Sequence, residues 1–551
     1  MLSLTSESRK GIAILSAGAA VLLLTGLSVS SAGAANLTWD PSGSATGPSN
    51  GSGTWNSTGA YWYNGTGVQT WSNGNGAYFG AGTGGSGSYT VTLGSSSGTY
   101  TTIDLGINNS GNAYALDGIG GTITGTGQVV VNGNLTLENL TLSGYTNIAV
   151  NTGGVIGGQL NINAGATISM PATNTNLFLS DVPGGGTSGT TGTVDVNGGS
   201  LTIGAITVAA DGAHQARQAG ILNINSGTVT TEAIAGITSK STLTLGSTTT
   251  VNLNGGTLAT RWITSTNNGA VIVNFNGGTL QASNVGGIGA ASGSPYTIPT
   301  GSVNVQTGGA MIDSNAHTYW IQSPLVHDAT LGSTADGGLT VMDSKATGSQ
   351  TTSFVTLQGT NTYTGPTTVQ AGGDLVLAGA ATAANSAALA AGTIADSSSV
   401  TVASNAVLTL ANNAAATQIN ALNINGGSLT FELNSSQTPT LSIGTAANVK
   451  GVNTINIYAL AGTSSFTFGT YTLITDSLGG LSGGTFEFGN GQQTAIAGPL
   501  SGGSSYLLTL GSTDTTETLT ISAVPEPASL GLFAIGGMAL LLLGRKRKAH
   551  V

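Results

Sequence analysis

The chain has 551 residues, of which 89 are glycine and none cysteine, with a formal net charge of −10 and only 6% charged residues. Residues 36–523 hold nineteen acids against five cations (Arg217, Lys240, Arg261, Lys345 and Lys450), a net of −14, and cations so scattered make no patch that could neutralise phosphate, which excludes nucleic-acid binding. The missing cysteines exclude disulfides, thiolate metal sites and cysteine catalysis, while 39% apolar residues argue for a folded chain despite the glycine.

At the amino terminus Arg9 and Lys10 precede an apolar stretch from Gly11 to Val29, and Ala32-Gly33-Ala34 supplies small residues for cleavage. Residues 1–35 therefore read as a signal peptide, with the Sec translocon and signal peptidase as partners; a retained anchor is the alternative. Residues 36–100 crowd Trp39, Trp55, Trp62 and Trp71 with Tyr61, Tyr63, Tyr78 and Phe79. Such rings can close the open end of a stacked fold, or they can offer flat faces to a glycan. The four tryptophans are thus candidates for glycan contact, with exopolysaccharide as the partner.

Residues 101–350 carry an imperfect repeat of two aliphatics around a polar residue, then Asn, small residues, and Ser or Thr before another aliphatic. It reads Val194-Asp195-Val196-Asn197-Gly198-Gly199-Ser200-Leu201, Leu222-Asn223-Ile224-Asn225-Ser226-Gly227-Thr228-Val229 and Val251-Asn252-Leu253-Asn254-Gly255-Gly256-Thr257-Leu258. It returns as Val273-Asn274-Phe275-Asn276-Gly277-Gly278-Thr279-Leu280 and at 422–429. Alternation puts both aliphatics on one strand face, Asn-Gly turns a corner, and repeats of this length imply stacked coils sharing one core. The fold class expected is all-β, a right-handed parallel β-helix over about 100–510, with a sandwich or propeller as the alternative. Aligned asparagines are expected to stack as amide ladders. Ice-binding solenoids carry threonine arrays, but no regular Thr-x-Thr is seen in every repeat.

Residues 351–380 include Val355-Thr356-Leu357-Gln358-Gly359-Thr360-Asn361-Thr362-Tyr363-Thr364-Gly365-Pro366-Thr367-Thr368-Val369. This resembles the autotransporter-associated β-strand repeat, which implies a parallel β-helix on the outer surface. Residues 381–523 are expected to continue the helix and cap it.

Residues 524–551 join Val524-Pro525-Glu526-Pro527 to an apolar run from Ala528 to Gly544 and a basic stop, Arg545-Lys546-Arg547-Lys548. The run is long enough for a single transmembrane helix, and the cations would hold its end in the cytoplasm. This order of parts resembles the PEP-CTERM sorting signal. The resemblance implies an exosortase as partner and a precursor tethered to the inner membrane of a Gram-negative bacterium, then delivery to the cell surface or matrix.

Candidates for chemistry are sparse. His214 follows Asp211 by three residues, His327 adjoins Asp328, and His317 stands alone; Asp195, Asp211 and Glu232 are the densest acids and read as solvated. No second histidine sits at ligand spacing, so no metal, cofactor or catalytic residue is expected and the chain is not expected to be an enzyme. A non-catalytic surface or matrix protein is the function expected. A carbohydrate- or ice-binding module is the first alternative and a polysaccharide lyase or hydrolase the second.

Overall fold

A computed structural model describes residues 34–524 except 83–85, 109–110, 152–156, 171–174, 180–190, 208–218, 236–247, 265–269, 289–301, 347–352, 379–391, 412–416, 435–437, 460–462, 499 and 501–504. The expected signal peptide up to Gly33, its Arg9 and Lys10, the Pro525-Glu526-Pro527 step, the expected transmembrane helix and the basic stop lie outside these residues, as do Asp211 and His214. Among the described residues no helix is long and apolar enough to cross a membrane.

The described chain is all-β, its strands stacked coil upon coil. Asn134–Glu138, Thr141–Ser143 and Asn147–Val150 form one coil, and Gln159–Asn163, Thr167–Met170 and Asn176–Phe178 form the next. Each strand pairs in parallel with its counterpart one coil on, Leu135 opposite Leu160, Leu142 opposite Ile168 and Ile148 opposite Leu177. Thr191–Thr207 then runs through all three strand positions as one strand. Three strands per coil give three faces, each pairing its backbone groups with the coils on either side.

The repeat dictates the corners. Gly198 takes φ 98°, a left-handed value that glycine adopts without Cβ strain, and so turns the chain after Asn197. Gly199 is needed for a different reason: a Cβ there would meet the Asn163 carbonyl oxygen and Ile162 Cγ2 of the preceding coil, both at 2.6 Å. Between corners the alternation sends aliphatics inward. Val251, Leu253, Val273 and Phe275 are all fully buried, and Phe275 stacks between Leu253 and Val305 of the adjacent coils.

Two outward faces differ in chemistry. The first strand of each coil carries asparagines in register, Asn223 opposite Asn252, Asn252 opposite Asn274, and Asn274 opposite Asn304. The second carries hydroxyls. One file runs Thr99, Thr122, Thr141, Thr167, Ser200, Thr228, Thr257 and Thr279, each opposite the next. Two residues on, a parallel file runs Thr101, Thr124, Ser143, Ser169, Thr202 and Thr230. A paired Thr/Ser array is thus present, although no regular Thr-x-Thr recurs in every coil: Ala259 and Gln281 stand where the second file would continue. Serine replaces threonine in several coils, and loops vary the step between equivalent positions, 19 residues from Thr124 to Ser143 but 33 from Thr167 to Ser200, which hides the series.

The parallel stack starts and stops at other residues than the expected 100 and 510. Parallel stacking begins inside the aromatic segment, where Asn36–Trp39 pairs with Asn75–Phe79 and Gly53–Trp55 with Ser88–Leu93. It ends early: the last parallel rung joins Val452–Ala459 to Thr485–Phe488, rather than reaching about 510. Gly469–Asp476 lies parallel to Leu441–Lys450 on one side and takes Thr516–Ala523 antiparallel on the other, and Tyr506–Ser512 and then Thr494–Ala497 extend that antiparallel end. A parallel stack left open would expose unpaired backbone at its edge, and chain reversal covers that edge.

Candidate functional site

The aromatic candidates are not a platform. Trp39, Trp55, Trp62 and Trp71 are at most 5% exposed. Their rings face one another, with centroids 4.7 Å apart for Trp62 and Trp71, 4.8 Å for Trp55 and Trp71, and 4.9 Å for Trp55 and Trp62. Faces that would stack on a sugar are occupied by neighbouring rings, because the first coil has no preceding coil to cover its core. The reading of these four as glycan contacts is corrected to a buried aromatic plug.

The histidine candidate pairs with a residue other than its chain neighbour. His327 Nδ1 lies 2.8 Å from Asp336 Oδ2 and Nε2 lies 3.2 Å from the Gly332 carbonyl. Both partners are acceptors, an arrangement that favours the imidazolium form, which donates from both nitrogens. The Asp336 hydrogen bond accordingly holds the His327 pKa above its ordinary value, against a smaller opposing effect of desolvation. Burial pushes the Asp336 carboxyl up, but hydrogen bonds from Thr364, His327, Gly365 and Gly338 together outweigh it and hold it down. Asp328 instead caps the short 3-10 turn Ala329–Leu331 through the Thr330 N–H and hydroxyl. Both ring nitrogens are engaged by neighbours, and His327 helps hold the 329–338 loop through Asp336, which also accepts from the Thr364 and Gly365 N–H groups of the next coil. His317 sits in a corner, its N–H donating to the Ser314 carbonyl at 2.8 Å. The Glu232 backbone lies in Ala219–Ala235.

Three carboxyls are shifted upward. Burial raises Asp374 to about 7, helped by the nearby Glu432 charge and opposed by the Thr409 hydroxyl. Glu432 is raised by burial, and Glu517, fully buried in the antiparallel end, reaches about 7 for the same reason despite a hydrogen bond from Ser512. Among the described residues no three His, Cys, Asp or Glu side chains gather as a metal site.

Asp195 is not the solvated acid the sequence suggests; it ends a ladder. Asn304 donates to Asn274, Asn274 to Asn252 and Asn252 to Asn223, each at 2.7 Å, and Asn223 donates to Asp195 at 2.6 Å. A second ladder runs from Asn254 to Asn225 to Asn197 to Asn163 and ends on Glu138 Oε1 at 3.1 Å. Each amide passes its hydrogen bond toward the amino-terminal end, so the last member needs only to accept, which a carboxylate does best.

No curated protein matches the sequence. Residues 523–548 match the model of the PEP-CTERM protein-sorting motif, so the chain ends in a signal that implies an exported protein, anchored transiently at the membrane and processed by an exosortase.

Proposed function

We propose that the chain is a secreted, non-catalytic structural or adhesin-like protein of the cell surface or extracellular matrix. The observation that carries this reading is the sorting motif at 523–548, placed directly after a long stack of coils. The stack supports a structural role because the amides of one face and the His327 ring are engaged with other protein groups. In this reading residues 1–35 are a cleaved signal peptide and the coils are right-handed, as parallel crossovers generally are. Residues 351–380 form one turn of an autotransporter-associated β-strand repeat, and Ala528 to Gly544 spans the inner membrane until an exosortase acts.

Protease added to intact cells, with and without the host's exosortase, tests the proposal. The protein should be digested in the first strain and stay with the membrane fraction in the second. Full protection from protease in both strains, with the protein in the cytosol, would overturn it.

A further inference from the structure

The two hydroxyl files differ from the amide face in what their polar atoms do. Among their described members two hydroxyl contacts cross the face, Thr124 to Ser143 at 3.1 Å and Ser200 to Thr167 at 3.2 Å, whereas the asparagines hand one bond along every coil from Asn304 to Asp195. The files contain no ionisable side chain. Their inward neighbours Ile123, Leu142, Ile168, Leu201 and Val229 are fully buried, so every strand between the files is pinned to the core. The hydroxyls repeat at about 4.8 Å from coil to coil and about 6.6 Å from file to file, and eight coils extend the longer file for about 34 Å.

We propose that this face binds ice. A partner that meets many of these hydroxyls at once must itself repeat in two dimensions at a few ångströms, and must offer uncharged donors and acceptors together, since the files bring no charge to complement. Water ordered at an ice surface meets both conditions. The eleven threonines among the fourteen members each add a methyl group beside the hydroxyl, which excludes liquid water from the gaps while the hydroxyl bonds into the lattice. Because the strands are held before contact, little ordering entropy opposes binding. A crystalline neutral polysaccharide also repeats in two dimensions, but sugar rings are met by exposed aromatic faces, and neither file contains an aromatic residue while the four amino-terminal tryptophans are buried. The inference goes beyond sorting and does not depend on removal of the tail.

The test uses the exported protein, dye-labelled and offered to a single ice crystal growing slowly from dilute solution. Wild type should be taken up into the ice. Thr141→Lys with Thr167→Lys, which sets two charges in the longer file, should be excluded, and Thr193→Lys, on the amide face, should enter as wild type does. Thr141→Ala with Thr167→Ala adds no charge and guards against a folding defect; it should show reduced uptake with an unchanged unfolding midpoint. Exclusion of the wild type, equal uptake of all variants, or capture by insoluble neutral polysaccharide with exclusion from ice would each overturn the proposal.

Discussion

Asn223 donates its side-chain amide to Asp195 at 2.6 Å and accepts from Asn252 at 2.7 Å, so one residue joins three coils. Asn223→Ala removes two hydrogen bonds at about 1 kcal/mol each and should cost about 2 kcal/mol in urea unfolding. Asn223→Asp keeps the acceptor for Asn252, loses the donor, and sets a second carboxylate against Asp195, so it should cost at least as much at neutral pH. If the aspartate variant were as stable as wild type, the donor direction of the ladder would be wrong.

Phe275 is fully buried between Leu253 and Val305. Phe275→Ala should cost about 3 kcal/mol, read as a loss of unfolding free energy or as early fraying of the neighbouring coils. A change under about 0.5 kcal/mol would place the ring outside the core.

Gly199→Ala drives a Cβ to 2.6 Å from the Asn163 carbonyl oxygen, a backbone atom that cannot step aside cheaply. The substitution should lower the unfolding midpoint more than alanine at Gly65, where the turn has φ 98° but no heavy atom lies within 4 Å of the added carbon. Equal effects at the two sites would show that the contact at Gly199 costs no more than the left-handed turn at Gly65.

From about pH 5 upward, Glu517 and His327 should make the fold less stable as the pH rises. Glu517 has a folded pKa of about 7 against 4.5 for the free group, so its contribution is full below 4.5 and is lost as the pH rises through 7. The raised His327 pKa acts in the same sense: stability is present below 6.5 and fades as the pH passes the higher folded value. Glu517→Gln should raise the unfolding midpoint above pH 7 and change it little below 4.5. His327→Gln should flatten the decline above 6.5. A midpoint that rises steadily from pH 5 to pH 8 would contradict both assignments.

The parts of this molecule legible in its sequence are those that repeat locally. Val251-Asn252-Leu253 carries its own face assignment, because alternation separates inward aliphatics from outward asparagines within three residues. The hydroxyl files are legible only in part: the repeat carries Ser200, Thr228, Thr257 and Thr279, but Thr167 stands opposite Ser200 across a separation of 33 residues that no local pattern announces. The His327 and Asp336 pair depends likewise on the path of a nine-residue separation, and chain adjacency favoured Asp328 instead. For the tryptophans composition supplied the cluster but not its sense, as aromatic residues serve equally as a plug or a platform until burial decides.

If this stack of coils is exported cargo, its carboxy-terminal signal is read and removed. Mass spectrometry of the surface-exposed form tests it most directly. The mature chain should end near Val524, and the precursor should keep its tail when Pro525→Ala is combined with Glu526→Ala. An intact carboxy-terminal peptide running through Arg545 to Val551 in the surface form would contradict it.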